Sequence, residues 1–517
     1  MKNQRWLVFD KETDSFDGSP VEAFIYGIVY DNGDEFFTYS RERFIDAIKE
    51  FDGIALAHNG GKFDTVLMAD AFNIGEEIKI INGRVAEVKI GLCTVRDSFL
   101  IIPAPLAASG KKDTFDYSIL ARDKKHLREK HRAEIEKYLM QDCRALAELV
   151  RVFYSTYGQR LTQAGAALAT WEAMGGHKRR LGGAHDTHFR QFYFGGRCEA
   201  FKKGNLGDGW QYFDIKSAYP YAMQHQHPLG HLRDYTCHSR IKKITPQSFA
   251  RIVAISRGCL PCRGKYTTEY PHDTSPREYF ATGWEIIAGM ETGSLDIFES
   301  TIWTPAYVET LAPYVNKFYA EKLAAEKSGD TVKRLMAKIF LNSLYGKFGQ
   351  CADDFKKYKI VEEGEIPVGF SPYQECEHFD IVQKPSGGQF YDVALSASIT
   401  GFARAYLWRQ IKKSVGVAYC DTDSIICKAG LFDQGENIGQ WEKVCTLDSL
   451  HIAGKKLYTG FDGEEWVTAH KGFSKLDTSH EDIIAATEGE TVVIERSAPS
   501  INVLGQQKFI KRTMKKT

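Results

Sequence analysis

No apolar run in this chain approaches the roughly 20 residues that a bilayer-spanning helix needs. The N-terminus, Met1-Lys2-Asn3-Gln4-Arg5-Trp6, leads straight into a strand-like segment. A soluble, cytoplasmic protein with no membrane partner is expected. The 11 cysteines form no regular framework, and their odd number in a chain of 517 residues suits a reducing compartment better than a disulfide scaffold. Only Cys259-Leu-Pro-Cys262 has ligand-like spacing; with Cys237 and His238 as the nearest candidates it reads either as part of a zinc site or as a Pro-containing turn. Net charge is lacking too: 67 basic and 67 acidic residues argue against indiscriminate coating of nucleic acid, although a local basic channel remains open. There is no internal repeat or low-complexity tract.

What is present begins with length. A chain this long exceeds the roughly 250–300 residues at which one core stops growing, so two or more domains are expected. Hydrophobic content of 43%, with 13% aromatic residues, supports well-packed α/β units. Strand-like runs at Trp6 to Phe9, Ala23 to Tyr30 and Ile54 to Ala57 precede a helical stretch from Ala133 to Tyr154. A polar, Gly-containing connector follows, loosest at Gly175-Gly176 and Gly182-Gly183. Then come a β-rich region, a long helical segment from about 312 to 348, a hairpin insertion between Phe355 and Asp392, and a helix over Ala394 to Lys412. Basic residues gather at Lys111-Lys112, at Lys124-Lys125, between Lys322 and Lys338, and in the tail from Lys508.

Three segments carry chemistry. Tyr419-Cys-Asp421-Thr-Asp423-Ser424 places two carboxylates at the tip of an apolar hairpin, which suits either a metal site or ordinary turn chemistry. Asp214-Ile-Lys-Ser-Ala-Tyr219-Pro220 follows an aromatic strand; alone, its aspartate reads as a helix cap. Were Asp214 to meet Asp423 across a sheet, the pair suits two Mg²⁺ ions roughly 3.5–4 Å apart. Finally, Arg334, Lys338, Asn342 and Tyr345 recur at helical spacing and share a face, with Gly346 beyond. Cations there suit a solvated surface or a phosphate clamp, and the ring offers a platform for a base pair.

Together these segments resemble motifs A, B and C of family B DNA polymerases. The resemblance implies Asp214 and Asp423 as metal ligands with Asp421 beside them, and Lys338, Arg334 and, more distantly, Lys322 as the triphosphate clamp. It implies Tyr219 as a steric gate against the ribose 2′-hydroxyl, and Asn342 with Tyr345 lining the nascent base pair. Ala218 stands where a leucine is frequent.

The N-terminal region is similar to the proofreading exonuclease of the same family. Asp10-Lys-Glu12, Asn59-Gly-Gly-Lys-Phe63-Asp64 and Tyr138-Leu-Met-Gln-Asp142 appear in the expected order. The resemblance implies metal binding by Asp10, Glu12, Asp64 and Asp142, with Tyr138 orienting the attacking water. Asn59, Phe63, Ser98, Phe99 and Tyr117 would hold single-stranded DNA, and Lys112 would assist cleavage. Phe99 replaces a usual leucine.

Further likenesses lie in Tyr193-Phe-Gly195-Gly196, Thr400-Gly-Phe-Ala-Arg404, Lys456-Leu-Tyr458 and Lys471-Gly-Phe-Ser, each implying a DNA contact. With the short length they resemble the protein-primed polymerases of linear phage genomes and linear plasmids. The implied fold is a ribonuclease-H-like 3′–5′ exonuclease over 1–158, a connector over 159–192, and a right-hand polymerase over 193–517. Within the latter, palm is expected at 193–258 and 391–474, a first insertion at 259–311, fingers at 312–350, a second insertion at 351–390 and a thumb at 475–517. Two Mg²⁺ per site, replaceable by Mn²⁺, DNA primer-template, dNTPs and a terminal protein as primer are the expected cofactors and partners of a monomer. The alternatives are a primer-independent polymerase of the same family and a DNA-binding replication factor whose catalysis has lapsed.

Overall fold

A computed structural model of the chain describes residues 4–14, 21–109, 115–177, 181–351, 354–387, 392–470, 473, 478–498 and 508–514. Among them no helix is long and apolar enough to cross a membrane.

The N-terminal unit is built on strands Trp6–Thr13, Ala23–Tyr30, Glu35–Thr38, Ile54–Ala57, Glu77–Ile81, Arg84–Ile90 and Cys93–Asp97. Ile54–Ala57 runs parallel to both Trp6–Thr13 and Cys93–Asp97, and the other pairings are antiparallel. Helix Arg132–Tyr157 covers the first two strands, burying Leu139, Cys143, Leu146, Val150 and Phe153 on one stripe. The sheet does not stop there. Lys356–Val361, Asp380–Pro385 and Ser371–Glu375 extend it to ten strands, joined through Tyr358 opposite Ile78 and Lys359 opposite Glu77. The hairpin expected as a second insertion is therefore fastened to the exonuclease-like sheet, and Ile360, Phe379 and Ile381 share its core with Phe72 and Ile78.

The palm-like sheet has the order Trp441–Leu447, Trp210–Ile215, Ser424–Cys427, Tyr419–Asp421, Cys198–Ala200. Its side chains alternate between two cores. Phe213, Cys420, Ile425 and Cys427 enter one, while Trp210, Tyr419 and Ile426 enter the other, so each face packs on a core. Helix Val393–Lys413, buried along most of its length, braces this unit.

The long helical segment is two helices, Ala312–Ser328 and Thr331–Phe348. Gly329, at φ +70°, ends the first in the left-handed conformation, and the Asp330 side chain accepts from Lys333 N to start the second. These helices share a core with the N-terminal unit: the Tyr157 and Phe340 rings stack at 3.8 Å.

Long-range packing and strand pairing show what the segments on either side of the expected boundaries join. The connector over 159–192 is largely helical, with Gln163–Ala173 docked through Trp171 on Phe348 and Gly183–Arg190 packed on the 393–413 helix. Strands Tyr235–His238, Asp296–Pro305, Phe249–Ile255 and Arg277–Thr282 form one four-stranded sheet, in which segments on both sides of residue 259 pair. The C-terminal helix His480–Glu488 packs on strands Ser449–Gly454 and Leu457–Phe461. Cys259 is buried with its thiol on the Ser294 carbonyl, and His238 bonds Thr304, so neither joins a zinc set.

Candidate active sites

Asp214 ends strand Trp210–Ile215, opposite Ser424, and Ile215 N donates to the Asp423 carbonyl at 2.7 Å. This register sets Asp214 beside Asp423, as the sequence reading requires. Between Asp421 and Asp423 the chain turns at Thr422, φ +56°, with Asp423 N donating to Asp421 O at 2.5 Å. The turn is fastened from below: Thr422 N donates to Arg197 O at 2.6 Å, and a Cβ on Gly196 would lie 2.5 Å from Thr422 Oγ1. Gly196, expected as a DNA contact, thus makes room for the acidic turn. Gly195 stays exposed and Tyr193 half-buried.

The electrostatics mark a cation-seeking site. Burial, then the charges of Asp423 and Glu442, push the Asp214 carboxyl up to about 7. Burial and Asp421 push Asp423 up to about 6 against the pull of Lys456. Asp421 is different, because Lys456 Nζ lies 3.0 Å from its Oδ2. Glu442 is answered by Lys216 at 2.9 Å. Neither Lys216, Glu442 nor Arg197 was singled out from sequence; only Arg197, at the end of the Gly-Gly segment, left a signal.

Tyr219 and Tyr345 stack at 4.2 Å with ring planes 18° apart, which brings the Asp214 segment and the 331–348 helix together. Arg334, Lys338 and Asn342 are exposed on the 331–348 helix. Glu326 receives Arg334 Nε at 3.1 Å and Lys322 Nζ at 3.6 Å, so two of the expected clamp cations already converge on one carboxylate.

Four expected DNA contacts lie inside the protein. Thr400 is buried and its hydroxyl donates to Ala397 O. Arg404, 2% exposed, pairs with Glu285 at 2.7 Å and donates to the carbonyls of Phe194 and Gly195 at 2.6 and 2.8 Å. Tyr458 is buried with its ring 4.8 Å from Tyr419. Ser98 is buried and donates to Ala57 O at 3.1 Å. Thr400, Arg404 and Ser98 hold backbone, and Tyr458 packs on Tyr419. Lys112 and Lys471 lie outside the described residues.

A second acidic site forms in the N-terminal unit. Burial, then the charges of Asp64, Glu12 and Asp142, push Asp10 well above the usual carboxylate range, so the charges of the other three carboxylates reach it. Asp64 is raised to about 6, chiefly by burial, and its Oδ1 is buried with no hydrogen-bond partner among the described residues. The Tyr138 hydroxyl is 2.5 Å from that of Tyr117 and also bonds Asp142. Tyr117 is 61% exposed, Asn59 is exposed at φ +59°, and Phe63 is half-exposed, a rim suited to an unstacked strand. Phe99 is half-buried under the Arg84 guanidinium, 4.7 Å from its ring.

Among the described residues no three His, Cys, Asp or Glu side chains close on one point as a complete cage. The donor set nonetheless fits a hard divalent cation of the kind that keeps waters and substrate phosphates among its ligands. Carboxylates crowded against one another, with an orphaned buried oxygen, are the oxygen donors such an ion relieves.

A family model described as DNA polymerase type B, organellar and viral, matches residues 103–385. The chain is 33% identical to a DNA-directed DNA polymerase of Enterobacteria phage PRD1, over 98% of this chain and 97% of that one. It is 22% identical to a probable DNA polymerase of Agaricus bitorquis, over 63% of this chain and 46% of that one. In fold it is similar to Phi29 DNA polymerase complexed with primer-template DNA and incoming nucleotide substrates, with a TM-score of 0.72, 15% identity, and coverage of 99% of this chain and 100% of that one.

Proposed function

The chain belongs to the organellar and viral type B DNA polymerases, and from that premise we propose how its two carboxylate sites divide template-directed synthesis and proofreading. The polymerising centre is Asp214 with Asp423. The observation that carries this reading is their juxtaposition, Asp214 at the end of one strand opposite Ser424 and Asp423 in the turn before it, where burial raises both carboxyls and the charge of Asp423 raises Asp214 further. Divalent cations, Mg²⁺ in this reading with two at each site and Mn²⁺ able to replace it, supply Lewis acidity toward the primer 3′-hydroxyl and the triphosphate.

The chain's own residues do the rest. Lys338 and Arg334, with Lys322, meet the triphosphate by charge, and Glu326 releases two of them as the nucleotide arrives. Tyr219 on Tyr345 forms a flat wall beside the sugar and base, and Asn342 borders it. Lys456 holds Asp421 and reaches toward the primer end. In the first unit Asp10, Glu12, Asp64 and Asp142 bind the cations of the 3′–5′ exonuclease. Tyr138, linked to Asp142, orients the attacking water, and Asn59, Phe63, Phe99 and Tyr117 seat the single strand, with Lys112 assisting.

Initiation uses a terminal protein on a linear viral or plasmid genome, in the cytoplasm of a host cell. Both insertions associated with that branch are folded units here, the sheet within 235–305 and the hairpin within 356–385, which supports this reading.

Primer extension and single-strand degradation test the division. Asp423→Ala is expected to abolish incorporation and keep the exonuclease, and Asp10→Ala with Glu12→Ala to do the reverse; equal loss of both in folded variants would sink it. Incubation with dATP, Mg²⁺ and the product of the neighbouring gene should yield protein-linked nucleotide, and its absence removes protein priming alone.

A further inference from the structure

Between the two carboxylates of Asp10-Lys11-Glu12 stands a lysine that the site described so far does not use. Side chains alternate along a strand, so Lys11 leaves the face of Asp10 and Glu12 and turns with Phe9 into the interior. It is 5% exposed. Its ammonium lies 5.8 Å from the centre of the Phe9 ring and 5.5 Å from that of Phe44, at one end of a cavity of about 220 Å³ that Tyr26, Leu67 and Met68 also line. Burying an ammonium among rings is unfavourable unless it gains strong partners.

The partner is specific. Nζ donates at 2.5 Å to the main-chain carbonyl of Asp64, the carboxylate residue of the second exonuclease segment. That segment has no strand to hold it: a short 3₁₀ turn, Gly60–Lys62, precedes it, and Phe63 sits at φ −141°, ψ −83°, outside regular structure. The ammonium takes the carbonyl, and Asp64 Oδ1 has no hydrogen-bond partner among the described residues. The first and second carboxylate segments are therefore tied from behind.

We propose that Lys11 is a positioning residue of the exonuclease: it tethers the Asp64 main chain to the first strand, so that Asp64 keeps its spacing from Asp10 and Glu12. The proposal rests on the proofreading reading above.

Lys11→Met in the full chain, which keeps length and loses the donor, tests it. Exonuclease turnover on single-stranded DNA should fall about tenfold or more with KM for DNA within about twofold. Amide hydrogen exchange over residues 59–68 should speed up, and primer extension should be unchanged. Unchanged turnover in a folded variant overturns the proposal, as does a parallel loss of turnover and primer extension, which marks a merely structural role. If Lys11→Met does not fold, Lys11→Leu is read in the same way. A parent chain that degrades no DNA overturns the proofreading reading and the proposal with it, whereas an active parent beside an equally active Lys11→Met overturns the proposal alone.

Discussion

Lys456 Nζ lies 3.0 Å from Asp421 Oδ2, while Asp423, two residues on, has its carboxyl pushed up to about 6. One hairpin thus carries a carboxylate already answered by the protein and another left for an incoming cation. Asp421→Asn should retain incorporation within roughly a hundredfold of the parent, whereas Asp423→Asn should fall below detection. Single-turnover nucleotide incorporation separates the two; equal losses would make Asp421 a full partner of Asp423.

Stability of the metal-free protein should carry a pH signature. Asp214 is raised from 3.8 to about 7 and Asp423 from 3.8 to about 6, so the folded protein holds protons that the unfolded chain has lost. Their contribution is favourable at low pH and fades as pH rises through that window. Asp214→Asn should therefore raise the melting temperature of chelator-treated protein near neutral pH, on the order of a few degrees. Divalent-cation affinity should climb over the same window, because binding displaces those protons.

The Tyr219–Tyr345 stack gives a test of sugar selection. Tyr219→Val removes the ring and should raise ribonucleotide incorporation about tenfold or more relative to deoxyribonucleotide. Tyr219→Phe, which keeps the ring, should keep discrimination near that of the parent. Competition between the two nucleotides in primer extension measures both.

Arg404 offers the opposite kind of test. Its Nε pairs with Glu285 and its Nη1 with two carbonyls, while Nη2 is buried without a hydrogen-bond partner among the described residues, so Arg404→Ala should destabilise the fold by about 3–5 kcal/mol through the uncompensated Glu285. The salt dependence of primer-template binding should not change, whereas loss of a phosphate contact would lower its slope by about one.

Sequence alone exposed the local parts of both sites. Asp214 lies on a strand and Asp423 in the turn of a hairpin, both flanked by visible apolar runs, and the cations of the 331–348 helix follow helical spacing. Burial was not legible, because a motif names a residue without saying what encloses it. Thr400, Arg404, Tyr458 and Ser98 read as DNA contacts, and each turned out to grip backbone or core. Lys11 was passed over for the converse reason: between two acidic residues it looks like a solvated charge, and only the folded strand turns it inward. The insertion boundaries were hidden because residues far apart in sequence pair there, Lys359 with Glu77 and Phe249 with Thr282.

The continuation of the exonuclease sheet into strands Lys356–Val361, Asp380–Pro385 and Ser371–Glu375 bears on whether the editing unit is separable. Excised at its sequence boundary, that unit would bare the edge of Glu77–Ile81, with unpaired N–H and C=O groups above an uncovered Phe72 and Ile78. Such an edge invites strand-to-strand association between molecules. The editing unit is thus completed by a segment synthesised nearly 300 residues later, and a chain stalled before that point carries a sticky, unfinished sheet.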